Sequence, residues 1–220
     1  MKIAIVTSVF GSQTLHSPTQ WQPEADYYAF VDRKRDCLGW TQIIHSGFSS
    51  GSHAGRRNAK VYKVLPNLVL PDYDYWIWVD PTHDVITSPV NICNQLGDKD
   101  FGLFRHVHRD CVYTEISECR KLGLDLDDNF NRYEDFLHEV EYPKSNGLYE
   151  LPAFVKKNSE RSLMASLKWW EIICRFSSRD QVSLPYVLWS NNMSPHIFDG
   201  WANNGLGQNK YMPQVRWKNV

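Results

Sequence analysis

Six short stretches of the chain are apolar almost without interruption, and most stop at a polar residue. They are KIAIVTSV (2–9), YYAFVD (27–32), WTQIIHSG (40–47), YDYWIWVD (73–80), DFGLFRHV (100–107) and the weaker ELPAFVKK (150–157). Runs of this kind suit strands buried on both faces, as in a parallel sheet covered by helices. Between them the pattern changes to a helical period. GRRNAKVYKVL places Val61, Val64, Leu65 and Leu68 at i, i+3, i+4 and i+7, and Pro66 should end or kink that helix. SPVNICNQL opens with Ser88 as N-cap and Pro89 at the first helical position. RYEDFLHEVEY is amphipathic. SERSLMASLKWWEIICRF predicts a helix with Leu163, Leu167, Trp170 and Cys174 on one face, and SSRDQVSLPYVLW a further helix capped by Ser177 or Ser178. Segments around 11–26, 46–55, 143–150 and 190–210 are rich in Gly, Pro, Ser, Asn and Thr and read as loops.

Strands alternating with helices predict an α/β sandwich. Ligands of such sheets bind beyond the carboxyl ends of the strands. Three runs end there in polar groups: Thr7 and Ser8, Asp32, and Asp80 in YWIWVDPTHDV. Three strands aiming functional groups at one edge are a stronger pointer than any one of them.

The bulk numbers narrow the class. The chain has 220 residues, which suits one domain with a substantial core. Lys and Arg total 24 against 25 Asp and Glu, so no basic excess points to nucleic acid or a membrane surface. The five cysteines, Cys37, Cys93, Cys111, Cys119 and Cys174, are odd in number and form no CxxC pair, which reads as a reducing compartment. The first residues lack the long apolar region of a signal peptide. No run approaches the ~18–20 apolar residues of a membrane span. The expected location is the cytoplasm, the host's if the source is a virus. Nine Trp suit aromatic sugar platforms, and equally a large α/β core.

Several stretches carry candidate chemistry. Asp80, Thr82, His83 and Asp84 offer ligands at a strand end, where Mg²⁺ or Mn²⁺ is held against a diphosphate; a turn with an Asx cap explains the same residues. In GRRNAKVYK, Arg56, Lys60 and Lys63 share a helix face and Arg57 sits one residue off. Such a face binds phosphate, or is simply solvated. In FRHVHRDCVYTE, read as a strand, His106 and His108 share one face and Arg105 and Arg109 the other. They line a polar cleft, contribute to a zinc site, or are structural. Asp180 in RFSSRDQVS sits in a helix's first turn, where the dipole favours a carboxylate whether or not it faces a reacting sugar. The stretch NNMSPHIFDGWANNGLG, with His196, Asp199 and Trp201, reads as a lid or a terminal excursion.

GRRNAKVYKVLP, YWIWVDPTHDVITSP, FRHVHRDCVYTE and RFSSRDQVS, in this order and spacing, resemble a glycosyltransferase-like domain family of plant mucilage-related, bacterial and chlorella-virus proteins. The resemblance spans roughly residues 45 to 190. It implies the GT-A fold, a Rossmann-like three-layer sandwich, as one domain over 1–220, with 1–110 the nucleotide-binding part and 111–220 the acceptor and catalytic part. It implies donor-binding roles for Thr7, Ser8, Val9, Asp32, Arg57, Lys60, His106 and Arg109, with Glu115 completing a His/Arg/Glu pattern. Arg179, Asp180 and Gln181 become the catalytic group, and Asp80, Thr82 and Asp84 the holders of Mn²⁺ or Mg²⁺. Thr82 stands where the usual Asp-x-Asp pair has its second carboxylate, so the metal leans on Asp84, a histidine or water. Some plant relatives have a basic residue at that position.

The implied reaction moves a hexose or deoxyhexose from a UDP-sugar, of the UDP-glucose or UDP-rhamnose type, to a glycan acceptor. Neither nucleic acid nor a membrane span is expected. The chain would serve alone or as part of a larger multidomain glycosyltransferase. Two other classes stand beside it: a hydrolase or amidase of the ceramidase type, and a non-catalytic nucleotide-sugar-binding module.

Overall fold

The computed structural model describes residues 1–49, 54–200 and 202, together with the backbone of 215–217. All six apolar runs form strands: β1 (Ile3–Val9), β2 (Asp26–Val31), β3 (Thr41–Ile44), β4 (Tyr75–Val79), β6 (Phe101–Arg105) and β7 (Tyr149–Lys157). With β8 (His196–Phe198) they make a sheet of order β3-β2-β1-β4-β7-β6-β8. Strand β7 is antiparallel to both its neighbours and the other pairs are parallel, so the sheet is mixed. Short β5 (His83–Val85) pairs with β9 (Val215–Trp217) in a separate ribbon. The helices are α1 (Ala54–Val64), α2 (Pro89–Asn94), α3 (Val112–Lys121), α4 (Asp127–Glu139), α5 (Glu160–Arg175) and α6 (Asp180–Ser190).

The two-residue period of the strands divides the core. Ala4 and Val6 of β1 and Trp76 and Trp78 of β4 face the larger cluster, which α1, α3, α4, α5 and α6 cover. Ile3, Ile5, Ile77 and Val79 face the smaller one, closed by Ile92 and Cys93 of α2. The result is a three-layer α/β sandwich, as the resemblance implies, with unequal helical layers. Gly102 of β6 leaves room for Phe198, whose ring an added Cβ would meet at 2.7 Å. Among the described residues, no helix is long and apolar enough to cross a membrane. All five cysteines are free thiols.

Four details depart from the sequence pattern. Helix α5 buries Ser162, Ala165, Ser166, Trp169, Ile172 and Ile173, while Leu167 and Cys174 are exposed. Small residues are chosen at this contact: Ser166 Oγ accepts from the buried Lys156 and Ser162 completes the helix cap with Ser159. Helix α1 buries Asn58, Tyr62, Lys63 and Val64, and Leu68 is exposed in a 3-10 turn after α1 ends. Strand β6 ends at Arg105, so His106 to Arg109 form a turn and strand alternation does not apply to them. Helix α6 starts without a serine cap, because Ser177 and Ser178 both donate to Asp125.

Lys156 of β7 is buried, has no carboxylate partner among the described residues, and donates to Val64 O, Asn67 Oδ1 and Ser166 Oγ. Burial pushes its ammonium down to about 7. In the unfolded chain it stays protonated up to 10.5, so between these values unfolding takes up a proton. Stability should therefore rise with pH through this window. Between pH 7 and 9 the gain should be roughly 1–2 kcal/mol by urea denaturation, and Lys156→Met should abolish it. An unchanged pH slope in that variant would show that Lys156 does not titrate in this range.

Candidate functional site

Strand β1 sends the chain to β2 on one side and β4 lies on the other, so the connection order reverses at the β1–β4 pair. That is where an open α/β sheet leaves a crevice. A cleft of about 730 Å³ opens there. Ser8 and Phe10 line it from the end of β1, Trp78, Asp80 and Thr82 from the end of β4, Arg56 and Lys60 from α1, and Arg179 from the start of α6. Gly55 lets α1 approach: a Cβ there would meet Phe10 O at 3.3 Å. The first turn of α1 has no acidic residue, so no carboxylate of its own offsets the positive end of the helix dipole there.

Strand β4 ends in both a turn and a polar anchor. His83 N donates to Asp80 O at 2.8 Å, closing the turn. The Asp80 side chain accepts on Oδ1 from Trp78 Nε1 at 2.7 Å and Lys63 Nζ at 3.3 Å. Behind the cleft wall, Lys63 lies 2.7 Å from Asp180 Oδ2, and Lys60 reaches the same oxygen at 2.7 Å. Asp180 is only 3% exposed. Burial works against its charge, but Lys60, Lys63 and Arg179 overcome it and hold the carboxyl far below the usual range. Burial brings Lys60 down to about 8 even with Asp180 lifting it. Burial also opposes the charge of Lys63, yet Asp180 and Asp80 together raise it above its ordinary value.

The other expected residues fall into three groups. Thr7 and Val9 are fully buried in β1 and do not line the cleft, and Val9 packs with Leu15, Ala29 and Val31. Asp32 accepts from Gly11 N and pairs with Arg35, which fixes the start of the loop after β1. Arg57 does not line the cleft, its charge is felt at Cys174 of α5, and its neighbour Arg56 takes the place in the cleft. Gln181 is half-buried in the first turn of α6, outside the lining. His106 Nδ1 accepts from the backbone of His108 and Arg109, and Arg109 Nε donates to Glu115 at 2.6 Å. Cys119 joins Glu115 to Arg179, so this cluster braces the cleft wall without entering it. Trp201 and residues 50–53 of the Gly/Ser loop lie outside the described residues.

Sequence reasoning passed over Asp125, which no local pattern marks. It is buried and accepts from Ser177 Oγ, Ser178 N, Ser178 Oγ, Leu126 N and Asn129 Nδ2, all within 3.0 Å. Its carboxyl is held down to about 2: burial opposes the charge and the hydrogen bonds outweigh it. The i, i+4, i+7 spacing of Arg56, Lys60 and Lys63 was the signal for the basic wall.

The three expected metal ligands are not brought together. Asp84 is buried and accepts from Thr19 N and Oγ1, and it does not line the cleft. Thr82 Oγ1 lies 3.1 Å from His83 Nδ1. Among the described residues no group of three His, Cys, Asp or Glu is placed to hold a metal ion, and this covers the zinc alternative at His106 and His108. A hard divalent ion held against a diphosphate fills its shell with waters and phosphate oxygens but still takes one or two carboxylates from the protein. Among the described residues the cleft offers one carboxylate, Asp80, and it is shared with the Lys63 ammonium, so the lining is a poor fit for that ion.

The family described as TOD1/MUCI70, glycosyltransferase-like domain, matches residues 33–202. The "Probable hexosyltransferase MUCI70" of Arabidopsis thaliana is 25% identical over 144 residues, covering 60% of this chain and 25% of that protein. The chain thus spans about a quarter of the length of this relative. The crystal structure of mouse xyloside xylosyltransferase 1, apo form, aligns with a TM-score of 0.48 and 11% identity, over 100% of this chain and 97% of that one.

Asp180→Asn tests what the buried carboxylate does. It leaves Lys60 and Lys63 buried with only Asp80 nearby, so unfolding free energy at pH 7 should fall by ~3–5 kcal/mol. The deficit should shrink toward pH 9, because lysines lacking the carboxylate shed their protons more readily when folded. Wild-type melting at both pH values would show that Asp180 does not hold these lysines.

Proposed function

Since the chain belongs to the TOD1/MUCI70 glycosyltransferase-like domain family, we propose that it transfers a hexose or deoxyhexose from a UDP-sugar, of the glucose or rhamnose type, to a glycan acceptor. The observation that carries this reading is the convergence of Arg56, Lys60 and Arg179 on one cleft at the β1–β4 switch point. Breaking a glycosidic bond to a diphosphate leaves negative charge on the departing group. Donors fixed in advance where charge develops are the largest catalytic term available to such a site. Arginine grips phosphate bidentately and lysine supplies a point charge.

In this reading the diphosphate lies over the start of α1, between Arg56 and Lys60 on one side and Arg179 on the other. Phe10 and Trp78 provide apolar walls, and Ser8, whose hydroxyl donates to Ala59 O, sets the floor. Asp180 keeps Lys60 and Lys63 in place from behind. The name of the plant relative, a probable hexosyltransferase, supports a hexose as the group transferred. A ceramidase-type hydrolase would have no use for a nucleotide, and a binding module would hold UDP without releasing it from a donor.

UDP release from UDP-glucose and UDP-rhamnose, set beside GDP- and dTDP-sugars, tests the donor class directly. Lys60→Ala should weaken UDP about tenfold or more and leave uridine nearly unchanged, since a charge-assisted contact is worth ~1.5–3 kcal/mol. Arg57→Ala should alter neither. Equal losses of UDP and uridine in Lys60→Ala would make the helix structural and remove the phosphate role.

A further inference from the structure

The cations of the cleft and the commitments of its carboxylates point the same way. Among the described residues lining it or standing directly behind it, Arg56, Lys60, Lys63 and Arg179 are set against Asp80 and Asp180, which leaves an excess of two positive charges. The phosphoryl groups of a nucleoside-diphosphate sugar carry about one negative charge each at neutral pH. Resting on the nucleotide-sugar reading above, we infer that these fixed cations alone neutralise the diphosphate, and that no divalent ion takes part.

Three observations support this. Asp80 Oδ1 already accepts from Trp78 Nε1 and the Lys63 ammonium, so a dication at the carboxylate's other oxygen would stand beside a cation that cannot move away: Lys63 is itself 2% exposed and bound to Asp180. Asp84, the other carboxylate of the DPTHD turn, is held by Thr19 away from the cleft. The two arginines, in contrast, are built to stay. Arg56 Nη1 donates to Leu124 O, and Asp125, the next residue, grips Ser177 and Ser178 immediately before Arg179. One loop between α3 and α4 thus holds the Arg56 guanidinium and the backbone that carries Arg179, and the two charges are close enough to repel each other. Burial and the closeness of Arg179 hold Arg56 below the usual guanidinium value. An anion between them relieves that repulsion, and a metal ion adds to it.

Calorimetric titration of UDP in EDTA, and again with Mn²⁺ or Mg²⁺, decides the matter. The inference expects the same dissociation constant in all three buffers, within about twofold. Arg56→Met and Arg179→Met should each weaken UDP by about tenfold or more in EDTA, with uridine binding retained as proof that the cleft is folded. In Asp80→Asn, whatever the affinity, the dissociation constant for UDP should again be the same in all three buffers. A tenfold gain on adding Mn²⁺ that vanishes in Asp80→Asn would overturn the inference and leave the nucleotide reading standing. Loss of uridine together with UDP in the arginine variants would also overturn it, since the arginines would then be structural. Failure of UDP to bind in every buffer would overturn the nucleotide reading itself, and this inference with it.

Discussion

A carboxylate buried between two lysines holds this cleft together. Taking Asp180 out of water costs several kcal/mol, and each lysine that follows it adds a similar penalty. The group is tolerable only because Lys60 and Lys63 both stand 2.7 Å from one oxygen. Such an arrangement adds little net stability over an apolar core, but it cannot be satisfied with either partner displaced. It therefore fixes α1 against the first turn of α6. Because Lys63 also reaches Asp80, the end of β4 is tied to the same point. The geometry of the cleft follows, since Arg56 and Lys60, Arg179 and Asp80 are carried by these three elements.

Comparison of two buried lysines shows what the partners contribute. Lys63 and Lys156 are each 2% exposed or less, and each lies over a tryptophan ring at just over 5 Å. Lys63 meets two carboxylates and is raised; Lys156 meets neutral oxygens and falls to about 7. Both act on α1. Lys156 ties Val64 O, the carbonyl of the helix's last residue, and Lys63 ties the side-chain face one residue earlier. The helix cannot slide along the sheet without stranding one of them. The positions of its two cleft cations are thereby set by charges that never touch a ligand.

The strands and the edge at which they end were legible in the sequence because a short run that is apolar at nearly every position must be covered on both faces, and the middle of a layered sheet covers it. The antiparallel direction of β7 was not, since a strand buried on both faces reads the same either way. Helical faces were harder. In α1 a lysine lies on the buried side, and in α5 serines and an alanine do, because a buried carboxylate and a buried ammonium on neighbouring elements require it. At the site, Asp80, Lys60 and the Arg179–Asp180 pair could be singled out by type and place. Their orientation could not. Asp84 is two residues from Thr82 in sequence, but β5 and Thr19 turn it to another environment. Arg57 and Arg56 are adjacent, and a rotation of about 100° per residue separates a cleft residue from a neighbour of Cys174.

The four motifs that mark the family are one connected object in space. GRRNAKVYK meets RFSSRDQVS at the lysine–aspartate triad and YWIWVDPTHDV at Lys63 and Asp80. FRHVHRDCVYTE joins through Arg109, Glu115 and Cys119 to Arg179. Part of each of the first three motifs named faces the cleft, FRHVHRDCVYTE stays behind its wall, and the residues that do not face it hold the others still. For a site that stabilises a departing anion, this division has a physical reason. The cations must already be aimed when charge appears, and reorganising them at that moment would cost part of what they supply. Lysine and arginine side chains are long and otherwise free to rotate. Here that freedom is removed by a buried carboxylate beneath the lysines and by a backbone carbonyl for Arg56, while an aspartate-bound turn fixes the backbone from which Arg179 starts. The polar groups behind the cleft are thus as much a part of its electrostatics as those that line it.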